Sequence, residues 1–172
     1  MRVRRFEGRA DVPGIIRVHT ASWRAAYDGL LPEDVLDGLA EEPTDEDVER
    51  WLEGLEANAD GVLVGLVDDA VRGFADIRWG DVETKAFVGE DEAGLRAIYV
   101  DPEHWGEGLG TVLLERGIEV LPVDVEALRL EMLAGNDVGH RFYEARGFEL
   151  TGTTEFEIGG EAFDSVIYSR AL

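Results

Sequence analysis

The stretch YVDPEHWGEGLGTVLLERG, Tyr99 to Gly117, does most to limit what this chain can fold into. An apolar strand, GLRAIYVD, leads into it. Pro102 breaks the strand, and Gly106, Gly108 and Gly110 follow at alternate positions just before a helical pattern begins. A strand that passes at once into a helix through such a loop points to an α/β domain. Glycines at this junction let backbone N–H groups close around an anion at the positive end of the helix. Yet Glu103 and Glu107 stand in the same loop, where an anion should avoid them.

Two familiar anion loops do not fit. A phosphate-binding P-loop needs Gly-Lys-Ser/Thr at its end, and no lysine follows these glycines. The dinucleotide fingerprint Gly-x-Gly-x-x-Gly meets Thr111 at its third glycine position, with Gly110 one residue early. It also requires a parallel βαβ opening, and the strands upstream read as hairpins.

Those strands are GVLVGLVDD and VRGFADIRW, separated by Asp68, Asp69 and Ala70, a turn signal between two apolar runs. The segment GDVETKAFVGEDEAG is acidic and reads either as extensions of its neighbours or as a loop. Before the hairpin, VRRFEG predicts a first strand. Asp11 with Pro13 predicts a helix start, and Ile15, His19, Trp23, Ala26 and Leu30 form one apolar stripe. A second helical region in two pieces lies around Pro43, with a capping box at Thr44 and Asp47. After the glycine turn the helix runs to about Leu121. ALRLEML alternates as a strand, Asn136 opens a short helix closed by Gly147, and Gly159-Gly160 joins a last strand pair. The order is β-α-α-β-β-β-α-β-α-β-β, a single α/β domain over residues 1–172 with a mixed, largely antiparallel sheet and helices on both faces.

Composition narrows the function. No apolar run reaches the length of a membrane span, and MRVRRFEGRADVPG has no apolar stretch behind its basic residues, so a cytoplasmic protein is expected. Without cysteine there is no disulfide, thiolate metal site or cysteine nucleophile. The 38 acidic residues outnumber 16 basic ones, for a net charge of −22, and Lys85 is the sole lysine. No basic stripe offers itself to nucleic acid. Acids spread through well-patterned helices and strands read as adaptation to a salt-rich cytoplasm, such as that of a halophilic archaeon, where ions screen self-repulsion. His19, His104 and His140 lack metal-ligand spacing, and no metal is expected.

AIYVDPEHWGEGLGTVLLERG resembles motif A of the Gcn5-related N-acetyltransferases, and NDVGHRFYEARGFELTG is similar to motif B of that family. SWRAAYDGLLPEDVLDGL looks like its first-helix segment. Trp105 departs from the Arg/Gln that opens motif A. The resemblance covers nearly the whole chain and implies acetyl-CoA as acyl donor, with its pyrophosphate on the N–H groups of the turn: Trp105, Gly106, Glu107, Gly108, Leu109, Gly110 and Thr111. It implies that pantetheine pairs with the preceding strand at Ile98, Tyr99 and Val100, and that Asn136 and Tyr143 contact the cofactor. Tyr143 takes the position of the general acid that protonates the departing thiolate, a role open beside simple packing against Phe142. Asp76, in a central strand, is a candidate base, although with so many acids chance placement is common. The acceptor, a small-molecule or peptide amine, is expected near Trp23, Tyr27 and Leu30; core packing is an equal reading of Trp23. An acidic pocket would suit a cationic amine. A non-catalytic acyl-CoA-binding module is the alternative to an enzyme. Family members are often dimers, and no feature of this sequence fixes a homodimer.

Overall fold

The computed structural model describes residues 1–172. Twelve elements follow one another: β1 (Arg2–Arg5), α1 (Val12–Ala26), α2 (Glu33–Asp37), α3 (Asp45–Glu56), β2 (Val62–Val67), β3 (Ala70–Arg78), β4 (Glu92–Val100), α4 (Leu109–Glu119), β5 (Ala127–Leu133), α5 (Asp137–Glu144), β6 (Glu149–Ile158) and β7 (Glu161–Ala171). They form one seven-stranded sheet in the order β1-β2-β3-β4-β5-β7-β6, in which only β4 and β5 run parallel.

Alternation along the strands divides the core into two layers. Val62, Val64 and Phe74 face one side and pack with Ile15, Ile16, Val48 and Leu55 from α1 and α3. Leu63 and Ala75 face the other and pack with Leu109 and Leu113 of α4. Helices therefore cover both faces. Asp68 and Asp69, at φ 51° and 62°, make a two-residue turn of the mirror-image type that suits strand twist. Ala70 is already strand, and the acidic stretch from Gly80 to Asp91 is a loop rather than an extension of its neighbours. Thr44 and Asp47 form the reciprocal capping box.

Asp11 does not cap α1 with its side chain. Its carboxylate is buried against Arg4, taking Nη1 at 2.9 Å and Nη2 at 2.8 Å, and it accepts the Glu7 N–H at 2.9 Å. Burial pushes its pKa up, but the Arg4 and Glu7 bonds outweigh that and hold the carboxyl below its usual range. The first strand is thereby pinned to the first helix.

Two irregularities shape the site. β4 and β5 pair only over Glu92–Gly94 and Ala127–Arg129, and beyond that point they part. The β3–β4 register then skips, Asp76 facing Ala97 and Ile77 facing Leu95, so Arg96 is the extra residue of a bulge. The split leaves one edge of β4 without a partner in the middle of the sheet.

Candidate active site

Two clefts meet at this gap. The first, of about 380 Å³, runs along β4 from Leu95 to Val100 and on to the glycine turn, with α5 as its far wall. The three glycines serve different needs. Gly106 and Gly108 are left-handed, at φ 80° and 92°, a conformation that disfavours any Cβ. Gly110 is needed for space: a Cβ there would lie 3.0 Å from the Phe142 ring, so α4 and α5 could not approach as they do. The first bond into the helix runs from Val112 N–H to the Gly108 carbonyl. Six consecutive amides, Gly106 to Thr111, consequently donate to no protein acceptor. They gather at the positive end of α4, a ready anion site.

Arg146 adds the charge that the turn itself lacks, and nothing in the sequence pattern singled it out. Its Nε and Nη2 donate to Thr111 Oγ1 at 2.9 and 2.6 Å, and Nη1 donates to the Phe142 carbonyl at 2.8 Å. The guanidinium stacks 3.8 Å from the Phe142 ring centroid. Its position three residues after Tyr143, in the turn that follows α5, was the available signal.

Trp105, at the motif's Arg/Gln position, turns its indole back and donates to the Val100 carbonyl at 2.7 Å. Ser22 Oγ donates to that same oxygen at 2.7 Å. The Val100 carbonyl is therefore taken, and only its amide remains for a ligand. Asp101 N–H bonds to the Arg72 carbonyl, which fixes the parity of the ladder. The main chain of Tyr99 faces β3, whereas Ile98 and Val100 face the gap. Tyr99 lines both clefts with its side chain rather than its backbone. Glu107 stays out of the groove wall, its Oε2 2.9 Å from His104 Nδ1.

Asn136 caps α5, accepting the Gly139 N–H at 2.9 Å, and also borders the groove. Tyr143 is held among aromatic rings, at 5.2 Å from Phe142, 5.4 Å from Phe148 and 6.1 Å from Tyr168. It lines the groove, and its hydroxyl makes no hydrogen bond within the protein. Burial, with the neighbouring Tyr99, raises its pKa well above the ordinary phenol, so it stays protonated.

The second cleft, about 520 Å³, lies across β4. Its wall is aromatic. His19 sits 4.8 Å from Trp23, 4.9 Å from Trp51 and 5.5 Å from Tyr99, centroid to centroid, and burial lowers its pKa to about 4. Trp23 and Tyr27 both belong to this wall, as the sequence suggested. Leu30 does not: it lies beyond the end of α1, is 37 % exposed, and packs beside Gly135.

Asp76 also borders this cleft, but its carboxylate is spent. Arg78 grips it from Nε at 3.2 Å and Nη2 at 3.1 Å, and Asn58 Nδ2 donates at 2.7 Å. Those donors occupy both of its oxygens. Glu131 is better placed. It lies on β5 at the wall shared by both clefts, with Oε2 accepting from Ser165 Oγ at 2.9 Å and Oε1 3.5 Å from Lys85 Nζ. The sequence signal was an acid alone on the opposite face from Leu128, Leu130 and Met132. The second cleft is not acidic.

Comparison with known proteins agrees with this geometry. The sequence model of the acetyltransferase (GNAT) family matches residues 21–148. The uncharacterized N-acetyltransferase YuaI of Bacillus subtilis is 30% identical over 151 residues, covering 87% of this chain and 82% of that protein. This chain belongs to the GNAT family. Among solved structures, the PaiA N-acetyltransferase of Thermoplasma acidophilum, in complex with coenzyme A, superposes with a TM-score of 0.74 at 21% identity, over 99% of this chain and 98% of that one. YncA of Salmonella typhimurium, solved with its cofactor acetyl-CoA, gives a TM-score of 0.70 at 22% identity, over 99% and 92% of the two chains. Both likenesses show that this chain has the fold of those structures.

Proposed function

We propose that this protein transfers an acetyl group from acetyl-CoA to a primary amine. The observation that carries the reading is the row of six unspent amides at the start of α4 with Arg146 beside it. Such a site suits a pyrophosphate, which accepts several N–H bonds and gains from the helix end and a nearby cation. The pantetheine arm then extends along the open edge of β4 beside Ile98 and Val100, accepting from the Val100 amide. Asn136 lies beside it.

The acyl carbonyl comes to rest where the two clefts join. Glu131 takes one proton from the acceptor ammonium, and the freed amine attacks the thioester carbon. The Ile98 amide stabilises the oxyanion that forms. As the C–S bond breaks, Tyr143 gives its proton to the thiolate, and the second proton lost by the attacking nitrogen restores the phenol through solvent. A raised phenol pKa favours the protonated form that this step requires.

The surplus of acid is read as adaptation to a salt-rich cytoplasm, so the assay belongs in molar salt. Acetyl-CoA is expected to raise the melting temperature, and Arg146→Gln to weaken that rise about tenfold in half-saturating concentration, as loss of one charged contact would. Absence of any shift in the unmodified protein would sink the donor assignment.

A further inference from the structure

The second cleft has a charge that the rest of the molecule does not. Five of the chain's 16 cations border it, Arg50, Arg78, Lys85, Arg96 and Arg129, against three of its 38 acids, Asp76, Glu83 and Glu131. Four of the five already have carboxylate partners: Arg50 with Asp47, Arg78 with Asp76, Lys85 with Glu131 and Arg129 with Glu92. Arg96 has none. In this acid-rich chain only Arg96, Arg141 and Arg146 lack a carboxylate within 4 Å. Arg146 is the cation of the donor groove, and Arg141, on α5, borders neither cleft. Arg96, itself exposed, stands at the join of the clefts on the bulge in β4, and its side chain makes no hydrogen bond within the protein.

A second donor in the same cleft is also without an acceptor. Trp23 Nε1 is buried and unpartnered, alone among the buried side-chain polar atoms. Leaving such a group unmatched is unfavourable, and a ligand oxygen removes the cost. The Tyr99 hydroxyl is the protein group that approaches the Trp23 N–H, without reaching hydrogen-bond distance: burial raises its pKa, while the approach of the Trp23 and Tyr27 side chains, and then the Arg96 charge, act to lower it. Arg96 and Trp23 both border this cleft.

The donor substrate does not supply the missing anion. Its phosphates belong to the glycine turn, and Arg96 stands four residues back along β4 from Val100, about 13 Å at the rise of an extended strand. The pantetheine arm between is neutral. The anion must therefore arrive with the acceptor.

We infer that the acceptor is a small zwitterion, an amine with a free carboxylate close to its nitrogen as in an α-amino acid, whose carboxylate is taken by Arg96 and Trp23 Nε1. The aromatic wall of His19, Trp51 and Phe74 receives the apolar remainder, and the amine is left toward Glu131. A protein N-terminus or a lysine side chain offers no carboxylate there. This inference rests on the acetyl-transfer reading above.

The test is thiol release from acetyl-CoA with L-phenylalanine, L-leucine and L-methionine, each beside its amide and its decarboxylated amine. Free amino acids are expected to exceed both analogues in kcat/KM by about 10-fold or more. Arg96→Gln should raise KM for the amino acid by about 10- to 100-fold while leaving the decarboxylated amine unaffected, and Trp23→Phe should act in the same sense, more weakly. Both variants should keep the acetyl-CoA melting shift. Equal use of acid and amide, preference for cationic amines or peptide N-termini, or no turnover across the amino-acid panel while acetyl-CoA still binds would each overturn the zwitterion. Loss of acetyl-CoA binding in the unmodified protein would instead overturn the acetyl-transfer reading.

Discussion

Tyr143→Phe isolates one atom. The ring rests on Phe142, Phe148 and Tyr168, contacts that phenylalanine keeps, and the hydroxyl bonds to nothing in the protein. Stability should change by no more than about 0.5 kcal/mol, the range of substitutions that break no partnered group. For a domain of this size that is about 1–2 °C in melting temperature. If the hydroxyl delivers the proton to the thiolate, kcat should fall by about 10²- to 10⁴-fold, equivalent to roughly 3–5 kcal/mol of transition-state stabilisation. KM for acetyl-CoA should hardly move. The raised phenol pKa adds a second mark, because activity that depends on the protonated form should persist to pH 10 and decline only above it. A thioester with a more acidic thiol, which needs less help to depart, should recover much of the lost rate. Thiol release followed by a colorimetric trap measures all of these. A kcat within threefold of the parent, or a loss confined to acetyl-CoA affinity, would refute the acid role and return Tyr143 to packing.

His19 gives a pH signature of stability. Its pKa falls from 6.5 to about 4 on folding because burial disfavours the imidazolium. The unfolded chain therefore takes up a proton before the folded one does, and stability contributed by the neutral ring is lost as pH drops from about 6.5 to 4, by up to about 3 kcal/mol. His19→Gln should remove that portion of the slope in denaturant titrations; an unchanged slope would contradict it. Gly61→Ala tests the packing behind Asp76: the added Cβ would lie 1.9 Å from the Ile77 carbonyl and 2.8 Å from Asn58 Nδ2. A backbone oxygen cannot yield as a side-chain tip can, so about 3 kcal/mol of destabilisation and a melting point lower by roughly 6–12 °C are expected. Glu107→Gln should tighten CoA binding at low salt and change it little at molar salt, where screening is already complete over a few ångströms. Equal effects at both salts would exclude a field acting from outside the groove.

The glycine turn was legible from the sequence because its constraints are local. Left-handed backbone at Gly106 and Gly108 and a helix beginning at Leu109 follow from neighbours a few residues away. Period-two and period-3.6 patterns likewise located most strands and helices, and the Thr-x-x-Asp spacing located the capping box at Thr44. Asp11 misled because its carboxylate answers to Arg4, a residue of another element, rather than to the helix it precedes. Asp76 looked free only while Arg78 and Asn58 were letters; contact with a partner as distant in the chain as Asn58 leaves no periodic trace. Arg146 and Glu131 emerged only when α5 and β5 were set against β4.

The sequence by itself determined the order of elements, the glycine turn and the family, since each depends on short-range conformation and on motifs contiguous in the chain. Tertiary structure alone decided the split between β4 and β5 and the bulge at Arg96. It also decided which charges among so many acids remain without partners. Those outcomes depend on where strands stop pairing and which opposite charges come within reach, both long-range properties of the folded chain.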